Sequence, residues 1–421
     1  MKLPQIHFGR RRSSAPRRLK EAVLASFHSS ASETSLQLEG YSQSDWQAIL
    51  VWLDISGMAL YLFDRLRELG IQACVPSPFR EGLQLRQERN RQRTEALLSQ
   101  AGKVADEFTR AEICFALMKG ITLTPDSVPN PMLRWQTDLD FLIAESDATA
   151  SMEVLRKLDY SLHATSGQTM EFRSGPSGKP DLANLYLPDT QRSLELHCFH
   201  RRVGVPDRLA RASEKLFRGT VLPALSAGDI LVHQALHLLK HLCGEHTRAS
   251  WVLEFWRNIR LRKHDCAFWN QVKAIASSEP NADLALSIST WLATSMFGEV
   301  PDGAAEHWPA DAIPPGVMVW LRRYAHELLL SDSHESKLYL LLRRQLPNGI
   351  DTKTTARLMI PLCLPARITQ PVPGETPADR LTRYRIEASY SCRRLRFHFF
   401  EGLRFGIEAL SWEWRLPKGQ R

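Results

Sequence analysis

The sequence predicts an α+β protein, a block of short strands set between longer helical stretches, with α/β as the other arrangement the strand block admits. Three observations lead there. Apolar residues recur at steps of three and four before residue 119 and again after residue 226. Between those stretches, short segments of β-formers alternate with turn residues. Within Arg134-Trp135-Gln136-Thr137-Asp138-Leu139-Asp140-Phe141-Leu142-Ile143, acids and large apolar residues alternate at a period of two, the pattern of a strand with one buried face.

Residues 1–34 read as a basic, disordered tail. Over the first 32 residues Glu21 is the only acid, a composition with a faint likeness to a transit peptide, and no secretory apolar stretch follows the arginines. Residues 35–110 form an N-terminal helical region, in which Ser44 and Asp45 supply N-cap chemistry ahead of Trp46, Ile49, Leu50 and Leu53. The most apolar stretch, Trp46 to Phe63, carries Gln47, Asp54 and Ser56 and reads as a core helix, not a membrane span. Pro76, Pro78 and Gly82 interrupt the pattern. A helix from Gln84 to about Lys119 then aligns Leu85, Leu97, Leu98, Ala101, Val104, Phe108 and Ile113 on one stripe.

Residues 111–222 hold the strand block: Asp138–Ala144, a helix near Ala148–Leu158, then Met170–Arg173, Ala183–Leu187 and Arg192–Phe199, with Ser174–Pro180 as a turn joining strands. A helical domain follows over 223–345, with helices near 226–242, 248–262, 267–278, 281–297, 316–330 and 334–345 and a Pro/Gly-rich break at Pro301–Pro315. Residues 346–421 are a Pro-containing connector and a basic, aromatic helical segment.

The net charge of +8 is unevenly placed. Residues 1–20 carry +7 and residues 380–421 carry +6, which leaves −5 for everything between. Such ends are expected to be solvated tails, with nucleic acid or an anionic membrane as the less favoured partner. The seven cysteines, at 74, 114, 198, 243, 266, 363 and 392, are scattered and lack a CxxC pair. That argues against a disulfide framework or a cysteine zinc module and for a reduced, cytoplasmic setting.

Asp138 and Asp140 stand two apart, so both carboxylates project from one strand face while Leu139, Phe141 and Ile143 point to the other. Two adjacent anions repel each other, and a divalent cation removes the conflict. Oxygen ligands of this kind suit Mg²⁺ held together with substrate phosphates. A third acid is expected in Leu194-Glu195-Leu196-His197, where the leucines bury one strand face and leave Glu195 and His197 on the other. If that strand lies beside the first, three carboxylates converge, two for metal and one to draw a proton from an attacking hydroxyl.

These pieces carry a resemblance. Lys119-Gly120, Arg-x-x-x-Asp-x-Asp-x-Leu at 134–142, Leu-Glu-Leu-His at 194–197 and the histidine-rich run His233 to His241 follow one another over about residues 45–262. In that order they resemble the uncharacterised nucleotidyltransferase family of the polymerase-β-like nucleotidyltransferase superfamily. The resemblance implies a small mixed β-sheet flanked by helices, with Mg²⁺ or Mn²⁺ and a nucleoside triphosphate, expected to be ATP, at its edge. It implies Asp138 and Asp140 as paired metal ligands and Glu195 as the third acid and ligand. It implies Gly120 in a turn that lets the backbone approach the triphosphate, and Lys119 or Arg134 neutralising phosphate charge. Two features depart from the pattern. The superfamily commonly shows Gly-Ser where this chain has Lys119-Gly120-Ile121, and Glu254 stands where the family often has aspartate.

Some of these residues have plainer expectations. Arg134 has the alternative of an ion pair with Asp138 or Asp140, and Lys119 that of capping a preceding helix. His233, His237 and His241 share one helix face, but Gln234 stands where a zinc His-Glu-x-x-His site has its glutamate. Structural hydrogen bonding is the first expectation for them. Contact of His197, His237 or His241 with substrate or phosphate is the functional one. In Arg393 to Phe400 an amphipathic helix, with Leu395, Phe399 and Gly402 or Leu403 on one face and the arginines across from it, is preferred to an RNA-stacking surface.

Together these readings predict a metal-dependent nucleotidyltransferase that moves a nucleoside monophosphate from an NTP to an unknown acceptor, releases pyrophosphate and has no transmembrane segment. The alternatives are a catalytically degenerate nucleotide-binding sensor or scaffold, and an RNA-binding protein working through its basic ends.

Overall fold

The computed structural model describes residues 14–175, 185–187, 192–200, 207–217, 219–244, 246–332, 336–346 and 376–416. The chain divides into two compact units, Met1–Leu239 with Arg248–Ala312, and Lys240–Thr247 with Ile313–Arg421. Residues 248–312 therefore belong with the sheet, and the helical domain expected over 223–345 is split.

In the first unit the chain is helical from Ser14, so the tail expectation fails for residues 14–34, while residues 1–13 lie outside the described residues. Helix α1 (Ser14–Ala25) buries Leu19, Ala22 and Val23, three and four residues apart, while Arg17 and Arg18 stay exposed. Helix α2 (Ala31–Leu38) starts on a capping box of Ser30 and Glu33. Helix α3 (Gln43–Ile55) starts the same way, with Ser42 as N-cap and Asp45 reciprocating, two residues earlier than Ser44 suggested. The stretch read as one core helix is α3 followed by α4 (Ala59–Glu68), bent by 115°. Gly57 makes the corner at φ +73°, and a Cβ there would meet Ser250 Oγ at 2.5 Å. Among the described residues no single helix is long and apolar enough to cross a membrane.

Helix α5 (Ser77–Arg110) takes Pro78 into its first turn, where a missing N–H is harmless, so the prolines begin this helix and do not interrupt it. It also stops earlier than the apolar stripe suggested. Glu112 turns left-handed at φ +55° and Ile113 N–H bonds back to the Phe108 carbonyl at 2.9 Å, closing the end. The next residues, Phe115–Met118, are strand β1.

Six further strands complete one sheet: β2 (Asp138–Ala144), β3 (Ser161–Ser166), β4 (Thr169–Ser174), β5 (Arg192–Phe199), β6 (Ser213–Phe217) and β7 (Thr220–Ala224), with α6 (Ala148–Lys157) after β2. Their order is β3-β4-β5-β2-β1-β7-β6. The pairs β2–β5 and β1–β7 are parallel and the remainder antiparallel, which makes the sheet mixed and the class α+β. No strand forms at Leu185–Leu187, which is a turn whose Leu185 and Leu187 carbonyls accept from Arg93 at 3.3 and 3.0 Å. Residues 183–184 of that expected strand, and 176–180 of the expected Ser174–Pro180 turn, lie outside the described residues.

Leu139, Phe141, Ile143, Leu194 and Leu196 pack from one sheet face onto Leu97, Ala101, Val104 and Phe108 of α5 and Val154 and Leu155 of α6. Phe108, Phe115 and Phe141 lock this core, with ring centroids 5.5 to 5.9 Å apart. After β7 come α7 (Ala227–Leu242), α8 (Ala249–Leu261), α9 (Cys266–Ser278), α10 (Ala282–Phe297) and α11 (Asp302–His307).

The second unit holds α12 (Pro315–Trp320), a π-turn at Leu321–Ala325, α13 (His326–Leu329), α14 (Tyr339–Arg343) and the 39-residue α15 (Pro377–Arg415). Residues 347–375, most of the expected connector, lie outside the described residues. The six described cysteines are free thiols.

Phe141→Ala is expected to lower unfolding free energy by about 3–5 kcal/mol, because the ring is wholly buried and its neighbours cannot collapse into the gap. Urea denaturation followed by circular dichroism measures this, and a loss below about 1 kcal/mol would place the centre of the core elsewhere.

Candidate active site

The parallel pairing of β2 with β5 sets Asp138 opposite Ser193, Asp140 opposite Glu195 and Leu142 opposite His197. Paired residues project from the same sheet face, so the chain brings Asp140, Glu195 and His197 together. One ligand-capable atom from each lies within 4.8 Å of the others. His197 Nε2 is 2.9 Å from Asp140 Oδ1 and 3.2 Å from Glu195 Oε2, while its Nδ1 is 3.1 Å from Thr169 Oγ1 on β4. Asp138 projects from the same face two residues earlier, outside that group of three. Burial, then the charges of Asp140 and Glu195, push its carboxyl up to about 6 against the opposing pull of Lys119 and Arg134.

Lys119 lies in the middle of the acids. Its Nζ donates to Asp140 Oδ1 at 2.7 Å and to Glu195 Oε2 at 3.4 Å, and sits 3.1 Å from His197 Nε2. It caps no helix, because the element before it is β1. Its backbone is at φ +52°, ψ −150°, a conformation that costs a side-chain-bearing residue on the order of 1–3 kcal/mol. Thr122 holds it there, donating to the Lys119 carbonyl through Oγ1 at 2.6 Å and through its N–H at 2.8 Å.

Burial opposes charge on both Lys119 and His197, yet the acids win and both pKa values are raised. Glu195 in turn is held at about 2, first by its hydrogen bond to His197. Two carboxylate oxygens and an imidazole nitrogen this close are a donor set that fits a divalent cation.

Gly120 follows at φ +24°, and a Cβ there would meet Gln136 Oε1 at 2.7 Å. The glycine thus suits both its positive φ and the close packing of Gln136. Gln136 Oε1 also accepts from Arg134 Nη1 at 3.2 Å. Arg134 pairs with neither aspartate. Its Nε is 3.3 Å from Glu254 of α8, and Glu254 accepts from Tyr61 Oη of α4 at 2.9 Å. The departure noted at Glu254 is therefore a buried anchor for Arg134.

The histidine face does not act as a unit. His233 Nε2 lies 3.4 Å from Arg208 Nη1, and burial, then the Arg208 charge, lower its pKa to about 3. The His237 ring stands edge-on to Trp251 with centroids 4.7 Å apart. His241 belongs to the second unit, where its Nδ1 is 3.0 Å from the His246 carbonyl.

One cation was not legible in the sequence. Arg248, just ahead of α8, has its guanidinium 4.7 Å from the Trp135 ring centre and 5.3 Å from that of Trp251. It makes no ion pair among the described residues, and its Nε is buried without a hydrogen-bond partner. Burial, then Arg134, lower its pKa to about 10, with Glu254, Tyr186 and Asp138 opposing. An isolated arginine carries no spacing signal; only the fold sets it near Arg134 and Asp138.

His233 gives a pH signature. Its folded pKa lies below the unfolded value near 6.5, so the unfolded chain takes up a proton first and stability falls as pH drops from about 6.5 toward 3. Between pH 7 and pH 5 the wild type is expected to lose at most about 2 kcal/mol more than His233→Gln in urea titrations. Equal losses would show that His233 takes up its proton without cost.

Comparison with known proteins adds to this geometry. No curated protein matches the chain. Among solved structures, it is similar to an antigenic nucleotidyltransferase-like protein from Paracoccidioides brasiliensis, at 14% identity over 49% of this chain and 98% of that one, with a TM-score of 0.28. The uncharacterised nucleotidyltransferase family matches residues 42–298, well over half the chain. That span runs from α3 through the whole sheet and its acids to the end of α10, and the chain belongs to the uncharacterised nucleotidyltransferase family.

Proposed function

We propose that this chain moves a nucleoside monophosphate from an NTP, ATP in the first instance, to an acceptor hydroxyl or phosphate. An acceptor oxygen attacks the α-phosphorus, the bond to the β-phosphate breaks and pyrophosphate leaves. A carboxylate of the site takes the proton when the acceptor is a hydroxyl. The observation that carries this reading is the in-register pair Asp140–Glu195 with His197 beside it, in a chain of a nucleotidyltransferase family.

Asp138, Asp140 and Glu195, with His197 completing the set, would hold Mg²⁺ or Mn²⁺, which when bound supplies charge for the triphosphate and aligns it with the acceptor. Before a metal binds, His197 orients Glu195 and keeps it ionised. Arg134, fixed by Glu254, and Arg248, fixed between two indoles, present guanidinium groups to the phosphates. Lys119 is within reach to turn from Asp140 to a phosphate. Gly120 contributes by letting Gln136 pack against the turn. His237, packed on Trp251, acts through the position of that indole, and His241 is left outside the reaction.

A second reading has its own observation. An ammonium 2.7 Å from Asp140 occupies the place a cation would take, as expected of a sensor that keeps the fold and binds nucleotide without turning it over. Isothermal titration with each Mg·NTP, followed by transfer of α-labelled NTP to a panel of acceptors, separates the two. Binding with label transfer supports the enzyme; binding with none across the panel supports the sensor.

Asp140→Asn is expected to lower transfer on the order of a thousandfold with the protein still folded. Wild-type turnover in that variant would remove the acids from the reaction. Arg248→Ala is expected to raise the dissociation constant for the triphosphate about tenfold or more, in line with one lost charge-assisted hydrogen bond. An unchanged constant would assign Arg248 to packing alone.

A further inference from the structure

The long C-terminal helix has two apolar faces, and its own unit covers one of them. At 1.5 Å per residue α15 extends about 58 Å. On the covered face Phe405 and Trp412 are buried, and Trp412 stacks on Tyr324. Tyr324 donates to Glu408 at 2.7 Å, and Ser336 donates to Glu401 at 3.1 Å.

On the opposite face Leu395, Phe399, Leu403, Ile407, Leu410 and Trp414 follow at steps of four, four, four, three and four, which draws them into one line along the helix. They are between 45% and 81% exposed, with Phe400 beside them at 49%. The expected amphipathic face at Leu395, Phe399 and Leu403 exists, but the described residues leave it open to solvent. Contiguous exposed apolar surface of this size marks an interaction site.

The flanking charge says what kind. Residues 380–415 contain eight arginines against Glu387, Glu401, Glu408 and Glu413. Arg404 pairs with Glu327 and Arg415 with Glu408, so the cationic excess lies in residues 380–396. An apolar line that includes Phe399 and Trp414, with Arg393 and Arg396 beside its N-terminal end, matches a helix lying in the plane of an anionic bilayer. There the side chains enter the acyl boundary and the guanidinium groups meet headgroup phosphates. A spanning role is excluded for α15, since no single described helix is long and apolar enough. RNA stacking would use the aromatic rings but gain nothing from Leu395, Leu403, Ile407 and Leu410. A second copy packed in parallel would set one arginine-rich segment against another.

We propose that the outward face of α15 is a peripheral anchor for an anionic membrane surface. The test is co-sedimentation of the full chain with phosphatidylcholine vesicles and with vesicles containing phosphatidylglycerol. The chain is expected to sediment with the second and not the first, in a salt-sensitive manner. Leu403→Glu/Leu410→Glu should weaken binding about tenfold or more, and Arg393→Gln/Arg394→Gln/Arg396→Gln should weaken it and flatten the salt dependence. Circular dichroism and thermal melting check that both variants stay folded, since every substituted leucine faces solvent. Failure to sediment with either vesicle overturns the proposal. In that event a dimer that Leu410→Glu dissociates in sedimentation velocity would assign the face to a second copy. RNA binding lost in the arginine variant but kept in the leucine variant would assign it to RNA.

Discussion

The site rests on one register. β2 and β5 run parallel with Asp140 opposite Glu195, and a slip of one residue would turn every side chain of the slipped strand to the other face. Asp138 and Asp140 would then enter the cluster of Phe108, Phe115 and Phe141, where an unpaired carboxylate is strongly unfavourable. The alternation of leucine, phenylalanine and isoleucine with acids therefore selects the pairing, and the pairing assembles the acids. Core and chemistry are two faces of the same two strands.

Electrostatics then ties distant helices to the sheet. Arg134 leaves the loop before β2, meets Glu254 on α8, and Glu254 meets Tyr61 on α4. Those helices come from stretches of the chain nearly 200 residues apart, yet their joint product is one oriented guanidinium. Burying this pair is eased by further partners, Gln136 for Nη1 of the arginine and Tyr61 for the carboxylate. A second guanidinium, at Arg248, is held by aromatic faces and keeps its charge unspent.

How much of this was legible in the sequence depended on how local the signal was. β2 and β5 were readable to the residue because apolar residues fall at every second position of each, although β2 is buried on both faces. β1 was not, because Phe115, Ala116, Leu117 and Met118 are all buried and continue the apolar stripe of α5. Only the left-handed Glu112 separates helix from strand, and glutamate does not advertise that conformation. β6 and β7 were missed because Leu216 and Val221 are exposed and blur the alternation. Among the site residues, Asp138, Asp140, Glu195 and His197 had spacing to reveal them. Arg248 and the role of Glu254 depend on contacts between elements far apart in sequence.

Lys119 has one more consequence. A cluster of acids that awaits a metal ordinarily makes folding depend on that metal. Here the chain brings a tethered counter-ion of its own, held in a strained backbone beside Asp140. The fold can thus be completed in a metal-poor medium, and arrival of a cation becomes an exchange of one positive group for another. Such an exchange gains little unless the displaced ammonium has somewhere to go. In the proposed reaction a triphosphate arriving with the metal would give it that destination, so the two ligands would enter more readily as a pair than either would alone.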